Sequence, residues 1–447
     1  MANILERYRQ LHPRSEALYR EARELFPDGV THDTRYVMPF PIYCTHAEGA
    51  RKWDVDGLEY IDYVMGHGAL LLGHTHPDVV AAVNKQMARG THLGASHELE
   101  LQWAQWVKKL IPSAEKVRFT SSGTEAAMIA VRLARAYTGR SKVIKFQDHF
   151  HGWNDYLLAG SDRGTGGIPR TVWNTMIVLP PNNLAGVEKA LTEDKDVAAV
   201  ILEPTGAHMG LTPVYPSFLH SLRDVTLRHN VLLIFDEVVT GFRISPGGAQ
   251  ARYGVTPDLT ALAKILGGGL PGGAVAGRAD IMDMIAHKED PQWDNTRRIS
   301  HPGTFNANPL SAAAGCKALE LVATGAPTAQ AERAAQSLRD GLNRLLHSLE
   351  IPGCARGVAS VFHLSLGRPC RCDEPSVCQQ SPQDIKAGMP PGLAGHMKRS
   401  LLNSGVDLMA SSGITGLVSA VHGEKEIQQT LRAFEEALTS LRHEGLV

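Results

Sequence analysis

Cysteine is scarce in this chain, at six residues in 447. A disulfide framework is therefore excluded as the basis of the fold. No apolar run approaches the ~20 residues of a membrane span. The opening Met1-Ala2-Asn3-Ile4-Leu5-Glu6-Arg7 lacks the apolar core of a signal peptide, so a cytoplasmic protein is expected. Charge of either sign is not in excess: 45 basic against 46 acidic residues leave a formal net charge of −1. Neither nucleic acid nor a membrane is indicated as a partner. A GxxxxGK[ST] phosphate loop is absent, and so are internal repeats and low-complexity linkers. What remains is a globular composition, 43% hydrophobic, long enough for a large domain plus a smaller one.

Three cysteines do cluster, Cys370, Cys372 and Cys378, in a polar stretch. They read either as a zinc or redox site or as reduced thiols on a solvated loop. No fourth ligand has tetrahedral-site spacing, so no metal is expected.

Three regions are expected. Residues 1–65 form an N-terminal arm that packs with the small domain. It holds a helix near Ser15 to Leu25 and a hairpin turned by Asp56-Gly57. Residues 66–315 alternate helical and strand patterns. The strands Val143 to Phe146, Ala198 to Leu202 and Val231 to Phe235 are short and apolar, as when helices cover both faces. The fold class is therefore α/β, with a mainly parallel central sheet. Residues 316–447 read as a smaller α+β domain, with helices near Thr328 to Leu349 and Glu424 to Arg442 and a strand near Val358 to Leu366.

In such sheets ligands collect at the carboxyl ends of strands. Glu203 and Asp236 both stand there, and Lys264 follows Leu259-Thr260-Ala261-Leu262-Ala263. A buried strand ending in a carboxylate, then a lysine in a small-residue loop, suits pyridoxal phosphate. The carboxylate keeps the pyridine nitrogen protonated, and the lysine holds the cofactor and moves a proton. Ser121-Ser122-Gly123-Thr124-Glu125 opens an amphipathic helix. It is either an ordinary capped start or, with the free amides of Gly123 and Thr124, two hydroxyls and the helix dipole, a phosphate site. His301-Pro302-Gly303-Thr304-Phe305 offers a second hydroxyl and amide, or a tight turn. Gly267, Gly269 and Gly272 match G-x-G-x-x-G only formally, since Pro271 interrupts them and no good helix follows.

Taken in order, six segments resemble class III aminotransferases, pyridoxal phosphate enzymes of fold type I, over nearly the whole chain. They are Ser121 to Glu125, His149-Phe150-His151-Gly152-Trp153, Glu203-Pro204, Asp236-Glu237-Val238-Val239-Thr240-Gly241-Phe242-Arg243, Ala263-Lys264 and Gly303-Thr304-Phe305. The resemblance implies Lys264 as the Schiff-base lysine and Asp236 as the partner of the pyridine nitrogen. It implies Phe150 stacked on one ring face and Val238 on the other. Ser122, Gly123 and Thr124 would bind the phosphate, with Thr304 reaching in from a second subunit of a homodimer with shared active sites. His151, Glu203 and His208 would complete the cofactor surroundings.

The arm segment Gly29-Val30-Thr31-His32-Asp33-Thr34-Arg35 looks like the part of glutamate-1-semialdehyde aminomutase whose arginine grips the substrate carboxylate. That makes Arg35 the substrate anchor; without the resemblance it would read as a surface arginine. The chain departs from that enzyme at Gly66-His67, where a Ser-Trp pair is expected, and at His208, where asparagine is expected. The aminomutase's gating segment is also missing around Ser411-Ser412-Gly413. Gly66-His67-Gly68, Ala95-Ser96-His97 and His208 look closer to the D-phenylglycine aminotransferase branch, with His67 at the substrate. The expected activity is therefore transfer of an amino group between an amino acid, such as a D-arylglycine, and a 2-oxo acid. An aminomutase, an amino-acid racemase and a non-catalytic cofactor-binding protein are the alternatives.

Overall fold

The computed structural model describes residues 3–161, 164–367, 382–387, 389–390, 392–410 and 413–447. The cysteine cluster, Asp162-Arg163 and Ser411-Ser412 lie outside these residues. The chain forms two compact units, residues 77–328, and residues 1–76 with 329–447.

The first unit is built on a seven-stranded sheet. Its order is Lys116–Thr120, Gly273–Gly277, Leu259–Ala263, Leu232–Asp236, Val197–Leu202, Lys142–Phe146, Met176–Leu179. Five neighbouring strands from Leu259–Ala263 onward are parallel, and Gly273–Gly277 runs against both of its neighbours. Side chains alternate between faces with period two. Accordingly Val143, Ala199, Ile201, Leu232, Ile234 and Ala261 pack with Ala126, Ile129, Ala130 and Leu133 of the helix Gly123–Thr138. Ile144, Val200, Leu202, Leu233 and Phe235 pack with Phe218, Leu219 and Leu222 of the helix Pro216–Arg228 on the other face. Burial on both faces is why these strands read as continuous apolar runs. By the same alternation Asp236 shares the face of Leu232 and Ile234, the face covered by Gly123–Thr138. The formal G-x-G-x-x-G stretch leads into the strand Gly273–Gly277 rather than a helix.

In the second unit the strands Cys44–Glu48, Arg51–Asp54 and Glu59–Asp62 form an antiparallel meander, and Val406–Asp407 adds in parallel to Glu59–Asp62. A helix Ile4–Leu11, not expected from the sequence, precedes Pro13–Leu25. It is short, and its capping box from Asn3 and Glu6 is its clearest local signal. A four-stranded antiparallel sheet with Val361–Leu366 in its interior packs with Leu338, Leu342, Phe434 and Leu438 of the two long helices Ala326–Ser348 and Glu424–His443. No helix among the described residues is long and apolar enough to cross a membrane.

Candidate active site

Five segments converge on one end of the seven-stranded sheet, each at or just past the carboxyl end of a strand. They carry Ser122 to Thr124, Phe150 and His151, Glu203, Asp236 with Val238, and Lys264. The glycines show how closely they approach. A Cβ on Gly123 would stand 2.9 Å from both Val238 methyls and 3.5 Å from Ala263 Cβ. A Cβ on Gly152 would meet Thr124 Oγ1 at 2.5 Å. The helix start, the Phe150 loop and the Val238 turn therefore surround one small space.

Ser122 caps Gly123–Thr138, its hydroxyl accepting the Glu125 amide at 3.2 Å. Glu125 reaches back to the Ser121 amide at 2.6 Å. The amides of Gly123 and Thr124 sit at the positive end of a 16-residue helix, where the first turn has no intrahelical acceptor. This cradle suits a phosphate.

Asp236 is buried. Its Oδ1 accepts the Val238 amide at 3.0 Å, and its Oδ2 accepts His151 Nδ1 at 2.7 Å. A carboxylate can only accept, so His151 carries its proton on Nδ1. Burial holds the His151 ring below its usual pKa, with Asp236 pulling the other way. The Nε2 atom of His151 is buried without a partner among the described residues.

Lys264 follows its strand with φ +56°, a left-handed conformation unusual for a side chain with a Cβ. Such strain clusters at functional sites. Burial lowers the Lys264 pKa while Asp236 and Glu203 raise it. An amine shifted in this direction suits proton transfer. Glu203 is pushed up to about 8 by burial and by the nearby Asp236. Phe150 is 54% exposed, its ring free to stack on a flat ligand. These groups fit pyridoxal phosphate: an anion cradle, a carboxylate for the ring nitrogen, an aromatic face, a small apolar residue opposite and an amine.

His208 is exposed on the turn Ala207–Gly210, at φ +51°. Thr304 is exposed, and its carbonyl accepts His92 Nε2 at 2.6 Å. In the other unit, Arg35 is exposed and donates to Thr31 Oγ1 at 2.9 Å. His67 lies on a left-handed turn at φ +54°, stacked on His32 with ring centroids 4.9 Å apart. No group of three or more potential metal ligands is assembled among the described residues.

Three buried polar residues make contacts to which the sequence assigns no role. Lys145, 1% exposed in a strand that reads as apolar, donates to the Leu157 carbonyl at 2.6 Å. Glu237 accepts from Thr240 Oγ1, from the Ala249 amide and from both nitrogens of Gln250. His149 accepts the Glu203 amide at its Nδ1, 2.9 Å away. His149 and Glu237 stand in segments that carry the family resemblance, whereas Lys145 is marked only by its polarity within an apolar strand.

Comparison with known proteins agrees with this geometry. The family described as aminotransferase class-III matches residues 32–364. A glutamate-1-semialdehyde 2,1-aminomutase of Methanothermobacter thermautotrophicus is 40% identical, covering 96% of this chain and 100% of its own. An omega-transaminase structure from Sphaerobacter thermophilus is 35% identical with a TM-score of 0.85, covering 96% of this chain and 98% of its own. A glutamate-1-semialdehyde-aminomutase structure from Pseudomonas aeruginosa PAO1 is 26% identical with a TM-score of 0.87, covering 98% and 97%. Other structures of this fold hold pyridoxal phosphate or its amine form. The chain belongs to the class-III aminotransferases, pyridoxal-phosphate-dependent enzymes of fold type I.

Proposed function

We propose that this chain shifts an amino group within one small amino acid, as an aminomutase of the glutamate-1-semialdehyde 2,1-aminomutase kind. The observation that carries this is the 40% identity to proteins of that name along the whole chain. The sequence reading put transfer between two carbon skeletons first, and the names of these relatives favour the reverse order. Transamination is the second reading. It is favoured by His67 and His208 at positions where the aminomutase pattern differs, and by the 35% identity to an omega-transaminase.

Bound pyridoxal phosphate supplies an electron sink for the substrate carbon that loses a proton. The chain's own residues do the rest. Lys264 holds the cofactor, then takes that proton at Nζ and returns it elsewhere. Asp236 keeps a proton on the ring nitrogen, and His151 orients Asp236 by donating to its Oδ2. Gly123 and Thr124 hold the phosphate. Arg35 is assigned to the substrate carboxylate by the family resemblance. A homodimer, with Thr304 reaching the site of the partner subunit, is likewise assigned by the family resemblance.

The test is a reaction of cofactor-loaded protein with glutamate-1-semialdehyde, with and without a 2-oxo acid. Formation of the 2,1-shifted isomer without an acceptor supports the first reading. A strict requirement for an acceptor, with a D-arylglycine or another amino acid as donor, supports the second. Isomerisation of configuration alone would indicate a racemase and overturn both.

A further inference from the structure

Glu203 stands at the end of the strand Val197–Leu202 and is 8% exposed. Its Oε1 accepts the Phe150 amide at 2.8 Å, and its Oε2 accepts the Met209 amide at 3.3 Å. Its own amide donates to His149 Nδ1 at 2.9 Å. The Phe150 loop and the strand end therefore exchange hydrogen bonds in both directions, while the second oxygen reaches the turn that carries His208. Lys145 ties the far side of the same loop through the Leu157 carbonyl. The sequence placed Glu203 among the cofactor contacts, yet both of its oxygens are taken by backbone amides.

We propose that Glu203 is a positioning residue, one carboxyl group that pins the Phe150 loop and the His208 turn together as two walls of the cofactor site. The part about the cofactor rests on the functional reading above; the pin itself does not. A carboxylate suits the task because each oxygen only accepts. Glutamine would offer one acceptor oxygen and, as its amide lies one way or the other, turn an N–H₂ donor toward each amide in turn. Water is no substitute in a group this buried, so the lost bond is not repaired. Phe150 illustrates the purpose: its ring is exposed for stacking, while its backbone is held from behind.

The pin has a pH signature. Burial and Asp236 push the Glu203 carboxyl up to about 8. Around it, Lys145 and Lys264 act electrostatically with Glu203, and His149 stands close to Lys145, His151 and His208. Below that pH the carboxyl proton sits on either oxygen in turn, so the amides on both walls lose a full acceptor for part of the time.

The test is hydrogen exchange by mass spectrometry on the full chain, with and without pyridoxal phosphate. It follows the segments containing Phe150 and Met209. In the wild-type protein, exchange corrected for intrinsic pH dependence should speed up in both segments together as pH falls through about 8. In E203Q both segments should lose roughly tenfold in protection above about pH 8, show no pH signature of their own, and converge with wild type below that pH. Cofactor affinity should fall by about tenfold as well. A change confined to one segment, or to neither, overturns the pin. Loss of protection throughout residues 77–328 would mean that E203Q misfolds, and the wild-type pH series then decides alone. Coupled loss with unchanged cofactor affinity overturns the link to the cofactor. Failure of the wild-type chain to bind pyridoxal phosphate would fail the functional reading and leave the exchange result standing.

Discussion

The Nδ1 atom of His151 lies 2.7 Å from Oδ2 of Asp236, both side chains buried, across the strand Val197–Leu202 that separates Lys142–Phe146 from Leu232–Asp236 in the sheet. The contact fixes one tautomer and leaves Asp236 one orientation. His151→Asn can keep a donor where Nδ1 stands, whereas His151→Ala cannot. We expect the alanine variant to lose about 10²-fold in kcat and the asparagine variant clearly less, on the scale of losing one oriented electrostatic group. Steady-state kinetics with the substrate identified as above is the check. Equal losses in the two variants would show that His151 acts by filling space.

Gly152 and Gly139 make a matched pair of left-handed glycines. Gly152 has φ +90°, and a Cβ there would meet Thr124 Oγ1 at 2.5 Å; Gly139 has φ +67° with nothing within 4 Å. Gly139→Ala should cost about 1 kcal/mol from backbone strain alone. Gly152→Ala should cost more, and it should also push Thr124 from the phosphate cradle. Cofactor affinity measured by equilibrium dialysis should drop at least about tenfold in Gly152→Ala only. A cofactor affinity equal to that of Gly139→Ala would remove Thr124 from the cradle.

Much of this site is legible in the sequence because it uses strand ends. Asp236 closes an apolar run, Lys264 follows another, and Ser122 opens a helix. Local pattern alone marks each of these places. The supporting layer is hidden for a physical reason. Lys145 and His149 are polar residues made tolerable by partners distant in sequence, the Leu157 carbonyl and the Glu203 amide. The positive φ of His67 and His208 likewise depends on the surrounding fold, although each sits among glycines, at Gly66 and Gly68 and at Gly206 and Gly210. The helix Ile4–Leu11 was missed because eight residues carry too few turns for periodicity to show.

His422 offers a pH test of the unit formed by residues 1–76 and 329–447. Its ring is 3% exposed, and burial pushes its pKa down to about 4. In the unfolded chain it would titrate near ~6.5. The unfolded state thus binds more protons between these values, so stability is full above about 6.5 and is lost as pH falls toward about 4. The shift corresponds to roughly 3 kcal/mol as an upper bound. Denaturant unfolding of wild type and His422→Gln at a series of pH values is the measurement. A variant that keeps the wild-type slope over this range would show that other groups cause it.

Arg35, proposed for the substrate carboxylate, is exposed and donates to Thr31 Oγ1. A substrate anchor and a surface arginine differ in what substitution does. A guanidinium can hold a carboxylate through two parallel bonds, and lysine cannot reproduce that fork. Arg35→Lys should therefore raise KM for the amino acid substrate by about 10–100-fold, the worth of a charged hydrogen bond. Unfolding should stay within ~0.5 kcal/mol of wild type, as for an exposed position. Thr31→Val, which removes only the oxygen that steadies Nη1, should have a smaller effect in the same direction. The two variants are compared in steady-state kinetics at saturating cofactor. A KM that does not move in Arg35→Lys would return Arg35 to the surface and leave the carboxylate to be held by another residue.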